Sequence, residues 1–354
     1  MLQKLNTDKR IKTVLATSLA LLIGAAGAFL AQSVGLPAAM LSGSMVAVSV
    51  AALLRAPIAF PIIIRDICFV AIGIAMGQGV TPESLAGLSR WPISLTLIAL
   101  VVVAITLSCF FFLKNVCGWK RDVSFFASVP GALGYVIALA EERRISISPI
   151  MTVQILRLLA LVAIVPTLLT WGRDTNIEPQ QVSTFSTPLE MIVLAGLCIV
   201  AGYIGHRIKL PAGLLTGAFI VSSLLNGSGL MTVNLPPIIT DPFYIGLGVM
   251  IGYRFIEVPM ENLLRWLRAS VGSFFIGLAV SMFCAFSVAT LLDLPFGQLF
   301  LAYAPGGMEV MTLLAFMLDM DPAFVATHQL VRYIGMVVCM PLAAKLILGS
   351  SRGQ

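Results

Sequence analysis

The sequence predicts an all-α polytopic membrane protein made of two tandem repeats of about 175 residues, and three observations predict it. Of the 354 residues, 59% are hydrophobic and only 11% charged, with a mean hydropathy of +1.01. The apolar residues gather into long stretches, six in each half. The two halves also match one another at one nearly constant offset.

A soluble domain carries roughly 25% charged residues and about half apolar ones. This chain has too few polar groups to cover a globule, which excludes a soluble enzyme, a soluble transcription factor and a secreted disulfide scaffold. The net charge of +6 comes from 22 Lys and Arg that lie almost wholly between the apolar runs. That is a membrane distribution and leaves no basic patch for nucleic acid. The six cysteines lie mostly inside apolar runs without paired spacing, as small core hydrophobes do. Two distant histidines, His206 and His328, leave too little for a metal centre, and no cofactor is expected.

In the first half the apolar stretches run about 13–31, 36–54, 66–81, 91–113, 122–140 and 147–171. In the second they run about 188–206, 210–227, 241–256, 267–291, 295–318 and 322–348. Residues 1–171 form the first membrane repeat, 172–187 a polar connecting loop, and 188–354 the second repeat. Lys4, Lys9, Arg10 and Lys12 ahead of the first stretch resemble a signal peptide. The stretch is long for one, however, and it has a partner in the second half, so it is a retained helix. Trp91, Trp119, Trp171 and Trp266 fall at stretch ends, where indole rings favour the headgroup region.

The repeat is carried by particular residues. Leu36-Pro37-Ala38-Ala39-Met40-Leu41-Ser42-Gly43 aligns with Leu210-Pro211-Ala212-Gly213-Leu214-Leu215-Thr216-Gly217. Asp66, Gly73 and Gly77 then pair with Asp241, Gly248 and Gly252, and Pro130-Gly131 with Pro305-Gly306. Thr152, Gln154, Arg157 and Pro166 pair with Thr327, Gln329, Arg332 and Pro341. Such duplications recur in secondary transporters.

Symmetry depends on whether the fifth stretch crosses. If all six cross, the halves are parallel, and an inner N-terminus puts 11 Lys and Arg inside and 8 outside. If the fifth is a re-entrant hairpin, each half crosses five times and the second is inverted. The inner side then holds 17 and the outer side only Arg90 and Arg173, with Arg65, Arg157 and Arg332 set aside as embedded. The positive-inside rule prefers the inverted arrangement, with both termini cytoplasmic. Local sequence agrees, because Pro130-Gly131 and Pro305-Gly306-Gly307 each split a fifth stretch into pieces of about nine residues. At ~1.5 Å per residue each piece covers about half of a ~30 Å hydrocarbon core.

The candidate site follows from that break. Proline and glycine free backbone groups that survive in a membrane only inside protein or against a water-filled cavity. Pro130, Gly131, Pro305, Gly306 and Gly307 therefore form the tips of the proposed site; kinked packing is the plainer alternative. Arg157 and Arg332 lie near the middle of long apolar stretches, each three places after a glutamine, Gln154 and Gln329. A central arginine costs at least ~2.5–3.5 kcal/mol, so it faces the interior with a partner. It either binds an anionic substrate or bonds carbonyls of the broken hairpins. His328 lies beside Gln329, and Glu309, whose repeat equivalent is Gly134, suits a coupling ion or an ion pair with Arg332. Asp66 and Asp241 suit helix N-caps, and the paired glycines suit close helix packing. No catalytic constellation is present, so an enzyme is not expected.

These residues resemble a known family. The paired LP-x-x-x-L-[ST]-G segments and the Pro-Gly hairpins followed by Gln-x-x-Arg are similar to the AbrB duplication family of bacterial inner-membrane proteins, over about 13–348. The most specific piece is Ala304-Pro305-Gly306-Gly307-Met308-Glu309 with His328-Gln329-Leu330-Val331-Arg332. The first hairpin, Val129-Pro130-Gly131-Ala132, departs from the PGG typical of the family. The family is also labelled ammonia monooxygenase or AbrB-family regulator; the first label implies metal ligands this chain lacks. The resemblance implies a bacterial inner-membrane location and, by fold analogy, kinship with inverted-repeat transporters. The expectation is a transporter of a small anionic solute bound between the tips and arginines. The alternative is a membrane protein that regulates gene expression. Its partners are the bilayer and an unidentified small molecule, and small-residue faces permit a homodimer.

Overall fold

The computed structural model describes residues 2–80, 82, 91–131, 133–170, 187–231, 235–258 and 260–348. Ala132, Arg90, Trp171, residues 172–186 of the connecting loop with Arg173, and Arg352 lie outside these, as do the side chains of Lys4, Lys9 and Arg10. Among the described residues every regular element is helical. Six helices among the described residues are long and apolar enough to cross a membrane: Ile11–Ser33, Trp91–Val116, Ile147–Thr170, Leu189–Arg207, Leu264–Leu292 and Pro322–Leu348. The protein is a multi-pass helical membrane protein by that length and composition.

The chain divides into two compact units, each drawing on both halves of the sequence. The first, Met1–Gln78 with Val162–Glu257, contains α1 (Leu2–Ser33), α2 (Ala39–Leu53), α3 (Ile62–Gly77), the end of α7 (Ile147–Thr170), α8 (Pro188–Arg207), α9 (Gly213–Gly227) and α10 (Pro237–Tyr253). Here α2 lies against α1 and α10, while α9 lies against α8 and α3. Small residues allow this approach. A Cβ on Gly27 of α1 would stand 2.5 Å from the Gly43 carbonyl, and one on Gly205 of α8 2.5 Å from that of Gly213. Likewise Gly252 of α10 would meet the Met45 carbonyl at 2.6 Å and Gly73 of α3 that of Leu215 at 2.6 Å. A Gly252→Val substitution is accordingly expected to cost about 1–3 kcal/mol through overpacking against backbone. Gly196→Ala, where nothing lies within 4 Å, is expected to be neutral. Melting temperatures of the two purified variants check this, and equal values would deny the tight packing.

The short helices begin later or earlier than hydrophobicity alone suggests. Pro37 and Pro211 precede Ala38 and Ala212, which take left-handed backbone (φ 52° and 46°), so α2 and α9 start only after them. Each is 15 residues long, about 22 Å at ~1.5 Å per residue. The N-cap reading of Asp66 and Asp241 is corrected. Extended Pro61 and Pro236 start α3 and α10 about one turn earlier, because a fixed φ near −65° suits helix entry. Asp66 sits inside α3 and pairs with Arg65 at 2.7 Å.

The second unit, Gly79–Leu161 with Val258–Gln354, contains α4 (Trp91–Phe111, prolonged by a π turn to Val116), α5 (Arg121–Ser128), α6 (Leu133–Glu142) and the start of α7. It also contains α11 (Met260–Leu292), α12 (Phe296–Tyr303), α13 (Met308–Met317) and α14 (Pro322–Leu348). The buried face of α4 reads Trp91, Ser94, Ile98, Val101, Ile105 and Cys109, a helical spacing of three and four. Trp91 packs edge-on against Phe324 of α14 at 5.5 Å. Phe125, Phe126, Leu113 and Ile150 anchor one buried apolar cluster of this unit.

Candidate functional site

Two broken helix pairs dominate the second unit, α5–α6 and α12–α13. Their first members have 8 residues and their second members 10. The breaks have a local cause. Val129 (ψ 126°) and Ala304 (ψ 139°) are forced into extended backbone by the prolines that follow them, and neither proline can donate to the helix ladder. Gly131 then adopts φ +85°, a region open to glycine and costly for most other residues.

Ending α5 and α12 inside the protein leaves their last carbonyls without helical partners. The Gln-x-x-Arg pairs supply those partners from α7 and α14. Gln154 Nε2 donates to the Phe126 carbonyl at 3.3 Å, and Arg157 Nη2 to that of Val129 at 3.0 Å. In the other pair Gln329 Nε2 donates to the carbonyls of Leu301 (2.9 Å) and Ala302 (3.1 Å), while Arg332 donates through Nη1 to Ala304 and through Nη2 to Gly306. Donor and acceptor lie 28 residues apart for Gln154, Arg157, the Leu301 bond of Gln329 and the Ala304 bond of Arg332. The carbonyl-bonding alternative drawn from the sequence is thus a real part of the geometry.

It does not exhaust the donors. Arg157 is 3% exposed and Arg332 5%, yet Arg157 Nη1, Arg332 Nε and the Gln329 Oε1 acceptor have no hydrogen-bond partner. Among the described residues neither arginine forms an ion pair within 4 Å, as Arg65 does with Asp66. Backbone carbonyls carry only partial charge, so neither cation has a hydrogen-bonded anion, although the Glu309 carboxylate lies within electrostatic reach of Arg332.

The two tips meet at this place. A Cβ built on Gly131 would lie 3.2 Å from Arg332 Nη2 and 3.4 Å from the Gly306 carbonyl. Pro130, Gly131, Pro305, Gly306, Gln154, Arg157, Gln329 and Arg332 are therefore gathered around both breaks. Glu309 is half-buried in the first turn of α13, with its carboxylate folded back towards Gly307, whose Cβ would stand 3.3 Å from it. Gly134, which the alignment of the two sequence halves sets against it, faces open space.

His328 is turned elsewhere. Its Nε2 lies 2.8 Å from Ser94 Oγ of α4 and its Nδ1 2.8 Å from the Phe324 carbonyl, with the ring stacked on Phe324 at 4.0 Å. Tyr303 at the end of α12 donates to the Ser94 carbonyl at 2.9 Å. Fully buried His328 thereby ties α4, α12 and α14 together. Sequence reasoning missed Ser94 and Tyr303, which stand more than 200 residues apart and share no motif. The carbonyl partners were more accessible, since the same distance separates each Pro-Gly from its Gln-x-x-Arg. No group of three or more metal-ligating side chains occurs among the described residues.

Helices of crossing length together with broken helices closed by buried arginines define a multi-pass helical membrane protein with a polar centre. Residues 40–348 match the family described as "Transition state regulatory protein AbrB". The chain belongs to the AbrB family. It is 26% identical over 327 residues to the "Putative regulator AbrB" of Escherichia coli (strain K12), covering 89% of this chain and 91% of that one. It is also 22% identical over 355 residues to the "Uncharacterized protein YhjN" of Bacillus subtilis (strain 168), covering 92% of this chain and 91% of that one.

Proposed function

We propose that the protein is a secondary transporter, in a bacterial inner membrane, that carries a small anionic solute by alternating access. One observation carries the reading: two buried arginines at the meeting point of two Pro-Gly breaks keep N–H groups free of any protein acceptor. An anion bound there would compensate both charges in a medium where that compensation is worth most. The breaks supply what alternating access needs, irregular backbone around a central site.

The duplication is taken to be inverted, each half crossing five times and adding one re-entrant hairpin. The 28-residue separation shared by the capping bonds supports the duplication, and the 17-to-2 division of positive charges supports its inversion. Both termini are then cytoplasmic and the 172–187 loop external. A reporter fused within that loop is expected outside the membrane; its recovery in the cytoplasm would require parallel halves. No catalytic step and no cofactor is assigned, and a homodimer is compatible with the small-residue faces.

The test is thermal stability of the purified protein against a panel of metabolite anions, amines and peptides. A ligand at ~100 times its dissociation constant adds ~2.7 kcal/mol, which shifts the midpoint upward. A hit that disappears in Arg332→Ala supports the site, while hits confined to amines oppose it. The second reading is regulation of gene expression, favoured by the name of the E. coli relative. It predicts a stoichiometric cytoplasmic partner on co-purification, which a transporter does not require.

A further inference from the structure

A groove of about 540 Å³ runs between α4 and α14 in the second unit, within the size range of small-molecule sites. The two helices are parallel and in register, because Trp91 meets Phe324 and Ser94 meets His328. The lining extends from Leu95 to Leu107 on α4 and from Val331 to Ile347 on α14. At ~1.5 Å per residue this is a channel about 18–24 Å long. Its walls are almost wholly hydrocarbon and thioether, including Val102, Met336 and Met340, and unbranched methionines adapt readily to an alkyl chain. Arg332, at the Val331 end, is the one charged residue among the described residues of the lining. It is the arginine whose Nε lacks a partner although the side chain is 5% exposed. One turn along, Gly335 also lines the groove, and a Cβ there would meet nothing within 4 Å.

We propose that this groove binds a single-chain aliphatic monoanion, an alkyl carboxylate in chemical class, with its headgroup on Arg332 and its tail along α4 and α14. The proposal rests on the anion reading above and names the class of anion. Charge complementarity selects the occupant. A neutral chain would fill the groove but leave the guanidinium only partly compensated, by the Ala304 and Gly306 carbonyls and by a Glu309 carboxylate that does not bond it. A bilayer phospholipid keeps its phosphate at the interface, whereas Arg332 lies near the middle of the 27-residue α14. Such a lipid would set its methyl ends beside the cation. With C–C bonds of ~1.5 Å, a channel of about 18 Å accommodates an extended chain of roughly ten to fourteen carbons.

The experiment uses the full chain in nanodiscs of zwitterionic lipid and measures equilibrium binding of radiolabelled decanoate. Competitors are straight-chain carboxylates from butanoate to dodecanoate, decanol, and chloride, sulfate and phosphate. Competition is expected to tighten about three- to fourfold per added methylene. Arg332→Gln is expected to weaken decanoate about tenfold or more while leaving decanol unchanged. Gly335→Leu, whose side chain grows into open space, is expected to flatten the chain-length series and spare the short acids. A flat series in the unaltered protein, with short or inorganic anions competing equally, overturns the groove proposal and leaves the anion reading standing. Decanol competing as well as decanoate overturns the pairing with Arg332. Loss of decanoate binding in anionic-lipid nanodiscs assigns the site to bilayer lipid and overturns the solute version. Absence of binding by every anion overturns both readings.

Discussion

Arg332→Ala is expected to abolish measurable anion binding and transport, a loss of about 100-fold or more in affinity, while costing the fold much less. The two effects separate on energetic grounds. Stability loses the donors to the Ala304 and Gly306 carbonyls, and each orphaned buried acceptor costs about 1–3 kcal/mol. It regains the cost of burying an incompletely compensated cation, about 2.5–3.5 kcal/mol near mid-membrane. The net change is therefore small, between about −1.5 and +3.5 kcal/mol. Binding has no such offset, because truncating one partner of a buried charge pair costs about 2–5 kcal/mol. Arg332→Lys retains the charge but cannot span two carbonyls, and is expected to fall between the wild type and alanine. Uptake into proteoliposomes and the melting temperature of the same preparations check both parts. A folded Arg332→Met protein with unchanged anion affinity would reduce this arginine to a cap for carbonyls.

The second large effect is expected at Gly131. A valine there must hold a φ of +85°, which costs at least ~1–2 kcal/mol in an L-residue and more when the side chain is β-branched. Its Cβ would also stand 3.2 Å from Arg332 Nη2 and 3.4 Å from the Gly306 carbonyl, separating the tips that define the site. Gly131→Val is expected to eliminate transport and lower stability by about 2–4 kcal/mol. Gly131→Asn, which tolerates left-handed backbone better, is expected to be milder, and Gly134→Ala, facing open space, to be silent. Transport by Gly131→Val at the wild-type rate would show that close approach of the tips is unnecessary.

The break points were legible because proline acts locally. Pro130 and Pro305 end α5 and α12 wherever the rest of the chain lies, so the position of each break followed from the residue itself. The same local chemistry was misjudged at Asp66 and Asp241. There Pro61 and Pro236 open the helices, and the carboxylates fall inside α3 and α10. Both errors and successes concern backbone dihedrals that neighbouring residues control.

Composition and hydrophobic period alone determined that this chain lives in a membrane as helices, because 11% charge cannot solvate a globule of its size. The recurrence of Pro-Gly and Gln-x-x-Arg singled out the candidate residues, since a central arginine is too costly to stand without a partner. Only the tertiary structure decided what the arginines touch. Both readings of Arg157 and Arg332 demand burial, and the carbonyls they bond carry no side-chain signature. It likewise decided that Gly131 meets Gly306, that His328 turns towards Ser94, and that Arg332 opens onto an apolar groove. Those contacts join segments 175 to 240 residues apart, and side-chain chemistry along a chain does not specify which distant backbone it will meet.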